Sequence, residues 1–101
     1  MSRFTNLNNF TAAQTTVTVS GTPVQVGAQR MPDGVGVVVK ADDRNTGILT
    51  VGNSSANALN TTANNFRLQA GSSVTLYVNN ANDVWVDSTV SGDRADVIYE
   101  L

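Results

Sequence analysis

The sequence has no cysteine and no histidine, a single lysine (Lys40) and a single glutamate (Glu100). Without cysteine there is no disulfide framework, iron–sulfur cluster, thiolate zinc site or thiol nucleophile. Without histidine the commonest general base, proton switch and transition-metal ligand is gone. Charged residues make up 14% of the chain, against about 25% in an ordinary globular domain. The six cations are scattered through a chain of net charge -2, which leaves no basic footprint for nucleic acid. No run of about 18 apolar residues occurs, so no membrane span is expected. The segment 1–6 lacks the apolar stretch of a signal peptide. Catalysis would have to rest on aspartates, Glu100, hydroxyls or Lys40. The expectation is a non-enzyme with no cofactor and no metal site.

What the chain does have is 15 valines, 12 threonines and 12 asparagines, the first two strand formers and the third a turn former. Its 101 residues allow one domain. A domain of that size buries about 60–70% of its unfolded surface, so partner surface is a natural further source of stability.

Residues 1–14 are polar, with Phe4, Leu7 and Phe10 spaced by three. Asparagines are poor helix formers, so two readings stand: an arm docked through these three side chains, or an unstructured terminus. Residues 15–101 are expected to form the domain proper. There the period is two. Val17, Val19, Val24 and Val26 suggest a short hairpin with one buried face. Pro32-Asp33-Gly34 is a turn, and 35–41 reads as a strand covered on both faces. Asp42–Thr46 is a polar turn before the strand 48–51. The stretch 52–65 holds Asn, Ser, Thr and Ala and is expected as a surface loop, functional or ordered by a partner. Phe66–Leu68 returns to the core, Val74–Val78 and Val84–Asp87 are strands, and 95–100 is the last. About eight short strands without a convincing helix predict an all-β fold, an antiparallel β-sandwich of jelly-roll-like type with an extended N-terminal arm. An immunoglobulin-like sandwich or small barrel is the alternative.

Val74, Leu76 and Val78 share one face, as do Val84 and Val86. Pairing these strands as a hairpin sets Tyr77 opposite Trp85 on the outer face, beside Thr75 and Asp87. That pair is either a contact patch or core covered by a neighbouring segment. The carboxylates offer little chemistry. Asp42-Asp43-Arg44-Asn45 lacks the alternating oxygen ligands of an EF-hand. Asp93, Arg94 and Asp96 read as a solvated loop. Asp83 and Asp87 flank Trp85 without a helper residue, which is no glycosidase signature.

Several segments follow one another in a telling order: Pro32-Asp33-Gly34, Val39-Lys40-Ala41, Asn45-Thr46-Gly47-Ile48 and Val51-Gly52-Asn53-Ser54. Then come Leu68, Gly71-Ser72-Ser73-Val74, Val84-Trp85-Val86-Asp87, Ser91-Gly92-Asp93 and Ile98-Tyr99-Glu100. Over roughly residues 30–100 this order resembles the small β-sandwich domains of tailed-bacteriophage virion proteins. These include capsid decoration (cement) proteins and head-fibre or tail-associated modules. The resemblance implies a non-enzymatic structural protein, made in the host cytoplasm and carried on the capsid exterior of the virion. Its partners would be the major capsid protein and its own copies, as a dimer or trimer, with neither nucleic acid nor membrane involved. On that reading Phe4, Leu7 and Phe10 anchor an arm, 52–65 is a conformable contact, and Tyr77 with Trp85 is an interface patch. The rival is a carbohydrate- or host-binding module of a phage fibre or tail.

Overall fold

The structure, a computed structural model, describes residues 10–100. Its strands are β1 (Phe10–Thr16), β2 (Val24–Gln25), β3 (Val37–Ala41), β4 (Leu49–Gly52), β5 (Phe66–Leu68), β6 (Ser73–Leu76), β7 (Trp85–Ser88) and β8 (Arg94–Glu100). A single helical turn α1 (Ser55–Ala58) follows β4, and a 3-10 turn spans Ala81–Asp83. The fold is all-β: two antiparallel four-stranded sheets ordered β1-β8-β3-β6 and β2-β7-β4-β5. Each strand of the first half of the chain pairs with one of the second: β1 with β8, β2 with β7, β3 with β6 and β4 with β5.

Period-two valines account for the core. Val37, Val39 and Ala41 of β3 are buried, while Val38 and Lys40 between them are only half-buried. The strand is therefore covered mainly on one face, not equally on both. Ala95 and Val97 of β8 pack with them from the same sheet, and Leu49, Val51 and Val86 meet them from the other. Burying a Val or Leu side chain is worth about 1.5–3 kcal/mol, so this shared cluster is the main stabilising term.

Two pairings differ from the sequence expectation. The first concerns the valines at 17–26. Val17 and Val26 are buried, but Val19 is 55% exposed and β1 and β2 lie in different sheets. Residues 17–21 cross between the sheets instead, alongside 87–93. There Val17 N donates to Asp93 O and Gly92 N donates to Val17 O. The second concerns β6 and β7, which do not form a hairpin. β6 pairs with β3, whereas β7 pairs with β2 and β4. The chain between them changes sheet through the 3-10 turn, where Asn80 Oδ1 accepts from Asn82 N and Gln29 N. The alternation of apolar residues is satisfied by either partner, because facing does not depend on which strand lies alongside.

Residues 10–14, expected as the end of an arm, are the first five residues of β1, and Phe10 pairs with Glu100. Phe4 and Leu7 lie outside the described residues.

The 52–65 stretch is only partly a surface loop. Ser54 Oγ caps α1 by accepting from Asn57 N (3.1 Å), and Ala58 is fully buried. Asn65 Nδ2 donates to Asn57 O, Leu59 O and Thr62 Oγ1, and Arg67 Nη2 donates to Asn60 O and Thr62 O. The loop is ordered by its own amides and folds over the outer face of β4 and β7. Thr50 Oγ1, buried beneath it, donates to Ala58 O (2.6 Å).

Candidate contact surface

The loops divide between two ends of the fold, and the two ends are built from different chemistry. At one end Asp42 and Asp93, both buried, bind their own loops. Asp93 Oδ1 accepts from Thr46 N, and Oδ2 accepts from Gly47 N and Ser88 Oγ. Asp42 accepts from Arg44 N, Nε and Nη2 and from Gln14 Nε2. The Arg44 side chain, helped by its backbone N–H, holds the Asp42 carboxyl well below the usual carboxylate range. Asn45 completes the lacing by donating from Nδ2 to Arg94 O and accepting from Arg94 N at Oδ1. The Asp42–Asn45 segment is thus a closed turn; of Asp93, Arg94 and Asp96, expected as a solvated loop, Asp93 is buried and Arg94 and Asp96 are half-buried in β8.

Asp87 is spent in the same way on the outer face of the second sheet. It is fully buried, with Oδ1 accepting from Gly21 N (3.0 Å) and Oδ2 from Asn60 N (2.8 Å). Asp83 is exposed. The two carboxylates flanking Trp85 therefore do not face a common space.

The opposite end carries two largely exposed aromatic side chains, Tyr77 and Phe66. Tyr77 is 74% exposed just beyond β6. It stands over the Gly36 backbone, where an added Cβ would come within 3.2 Å of its ring. Glycine at 36 is what lets the ring lie so close. Phe66, expected in the core, is 54% exposed at the start of β5, while Leu68 two residues on is buried. Trp85 is half-buried on the outer face of β7, opposite Gly52 of β4 and Gln25 of β2. Tyr77 and Trp85 sit in different sheets and do not form a pair. The outward facing of both residues is as their strand alternation requires.

Between β4 and β5 on one side and the end of β6 on the other opens a groove of about 460 Å³. Its walls are Val51, Leu76, Val78 and Val84, its rim Phe66 and a group of asparagine amides with Asp83. The volume is in the range of sites that hold small organic groups, about 300–1,000 Å³. Asn65 on this rim has a buried Oδ1 without a hydrogen-bond partner among the described residues. The chain also enters β1 at this end, at Phe10. Val19 and Val90 are exposed at the carboxylate-laced end, and Ile98 on the outer face of the first sheet. Among the described residues no cluster of three or more acidic, His or Cys side chains is placed to hold a metal ion. No helix there is long and apolar enough to cross a membrane.

Phe66 and the buried carboxylates were not legible as sites in the sequence; of the groove, only the asparagine-rich 52–65 stretch that lines one side was expected to be functional. No protein-family model, curated protein or solved structure matches the chain.

Proposed function

We propose that this is a non-enzymatic structural protein of a phage virion, a capsid decoration (cement) protein that binds the outside of the shell and bridges major capsid subunits. The strand order, with β1-β8, β2-β7, β3-β6 and β4-β5 as nested pairs, supports reading the all-β fold as a jelly-roll sandwich. That architecture serves capsid and lectin domains alike, so the choice between them rests on the surface. The observation that carries the proposal is the difference between the ends. Carboxylates close one end onto backbone N–H groups, whereas the other leaves Tyr77, Phe66 and an apolar groove open. Exposed aromatic and apolar area with few charges is the composition of an interface core.

Such a protein acts by mass action. It binds the assembled shell better than free subunits, and each bound copy shifts the balance toward the assembled state. Symmetric repetition of the contact over the shell adds avidity, so each single contact can be weak. The test is the copy number and position of the protein in purified particles, together with heat challenge of shells made with and without it. Many copies on the shell and earlier rupture without them are expected. A few copies confined to a tail, or unchanged rupture, refute the proposal.

A second reading has one observation in its favour. The groove joins an exposed aromatic ring to several amides and a carboxylate, the side-chain set that stacks on and hydrogen-bonds a sugar. It makes the protein a carbohydrate-binding module of a fibre or tail. Glycan titration followed by nuclear magnetic resonance of the Asn53–Phe66 amides separates the two: saturable shifts support the module and their absence refutes it.

A further inference from the structure

The four sheet edges are unequal. β2 has two residues and follows Pro23, β5 has three and contains Arg67, and β6 has four. β1 has seven, Phe10–Thr16, a length of about 20 Å at 3.4 Å per residue. Among the described residues it pairs on one side only, with β8. Natural edge strands are usually kept apart by being short or by carrying a charge, a proline or a bulge. β1 has none of these: its sequence FTAAQTT is uncharged and proline-free, and its ladder with β8 runs unbroken from Phe10 to Thr16. Ala12, Ala13, Gln14 and Thr16 are exposed. In an antiparallel ladder alternate residues point their N–H and C=O away from the partner, and those of β1 have no backbone partner among the described residues.

We infer that β1 is a self-association edge, at which a second copy of this chain adds its own β1 antiparallel across a two-fold axis. Centring the axis at Ala13 uses the whole strand. Thr11 then faces Thr15 of the other copy, Ala12 faces Gln14, and Ala13 faces Ala13. Every cross-strand pair is small or uncharged, so the strand is complementary to itself, as a two-fold interface requires. No charged side chain lies within the paired strands themselves. The first sheets of the two copies become one eight-stranded sheet, β6-β3-β8-β1 continued by β1-β8-β3-β6. Gln14 is held for this by bonds from Nε2 to Asp42 Oδ2 and Asp96 Oδ1 on its own copy. The pairing does not depend on what the opposite end binds.

The absence of native cysteine makes the test direct. Directly opposed residues of an antiparallel pair have Cα atoms about 4.5–5.5 Å apart, within the span of a disulfide. A13C is therefore expected to form a covalent dimer under mild oxidation, at least tenfold faster than T75C on the other edge of the same sheet. Adding A12K, which sets two ammonium groups diagonally across the axis, should slow the A13C cross-link about tenfold. Both substituted alanines are exposed, and circular dichroism checks that the variants stay folded. Without cross-linking, sedimentation of the unaltered chain should show mass rising with concentration toward twice 10.6 kDa. Equal cross-linking of A13C and T75C, no effect of A12K, or a chain monomeric up to about 1 mM each overturns the inference. None of these measurements involves a shell or a glycan, so their failure is distinct from failure of the proposed function.

Discussion

Replacing Asp87, a fully buried carboxylate, with alanine should strongly destabilise this fold. Its two oxygens hold Gly21 N at 3.0 Å and Asn60 N at 2.8 Å, joining the 17–21 crossing and the end of the α1 segment to β7. Hydrogen bonds to a carboxylate are worth about 1.5–3 kcal/mol each, so the gross loss is about 3–6 kcal/mol. Part is returned, because alanine no longer buries a polar group and the exposed Gly21 can bind water. Asn60 N, beneath its own loop, is left with an unmet donor costing about 1–3 kcal/mol. The net is about 3 kcal/mol, a large share of the roughly 5–15 kcal/mol of a whole domain. At about 4–8 °C per kcal/mol for a domain of this size, Tm should fall by about 12–24 °C. Asp87→Asn should fall less, by about 2 kcal/mol, since one oxygen remains while the amide nitrogen meets a donor. Thermal unfolding followed by circular dichroism and by Trp85 fluorescence measures both. Asp83→Ala, which removes an exposed carboxylate with the same change in net charge, is the control and should stay within about 0.5 kcal/mol. If Asp87→Ala loses less than about 4 °C, or no more than Asp83→Ala, the carboxylate does not hold the segments together and the reasoning is wrong.

Three further outcomes are expected. Asp42 has its carboxyl depressed below the ordinary 3.8 by Arg44, so its stabilisation is present above that value and is lost as pH falls through it toward the folded value. Tm of Asp42→Asn between pH 7 and 2 should accordingly fall less steeply below pH 4 than that of the parent, and an equal slope refutes the linkage. Gly52→Ala would place its Cβ 2.6 Å from Ala58 N and 2.8 Å from Asn57 C, driving α1 off β4 at a cost of about 1–3 kcal/mol. Gly27→Ala meets nothing within 4 Å and should be near neutral in the same melt, so equal losses would contradict the packing. Tyr77→Ala, at a side chain 74% exposed, should leave Tm within about 4 °C while weakening shell binding at least tenfold in co-sedimentation; unaltered binding removes Tyr77 from the proposed contact.

The direction in which a strand residue faces could be read from the sequence, and its neighbour could not. Val84 and Val86 are buried, Leu76 and Val78 lean on the core, and Tyr77 points outward, as alternation alone requires. Yet Tyr77 and Trp85 lie in separate sheets, because the 3-10 turn at Ala81–Asp83 moves the chain across between them. Turn signals were legible for the same local reason. Gly34, Gly71 and Gly92 all adopt positive φ, where glycine is at no steric disadvantage. The candidate site was mostly hidden, since a groove is a property of segments distant in sequence. Val51, Leu76 and Val84 become its walls, and Phe66 part of its rim, only once strands of both sheets have been brought together. Phe66 reads as core in the sequence and is 54% exposed at the start of the edge strand β5.

By itself, then, the composition established a strand-rich chain with no thiol or imidazole chemistry, since strand propensity, turn chemistry and side-chain inventory are properties of residues and their immediate neighbours. Which strand pairs with which, and whether an aspartate is spent on a loop or left at a rim, was decided by the tertiary structure. Asp87 and Asp83 show the difference within five residues: one lies under the α1 segment and accepts two backbone N–H groups, the other stands exposed at the groove. The reason is physical. A carboxylate's role depends on the donors brought to it, and those of Asp87 come from 66 and 27 residues away along the chain.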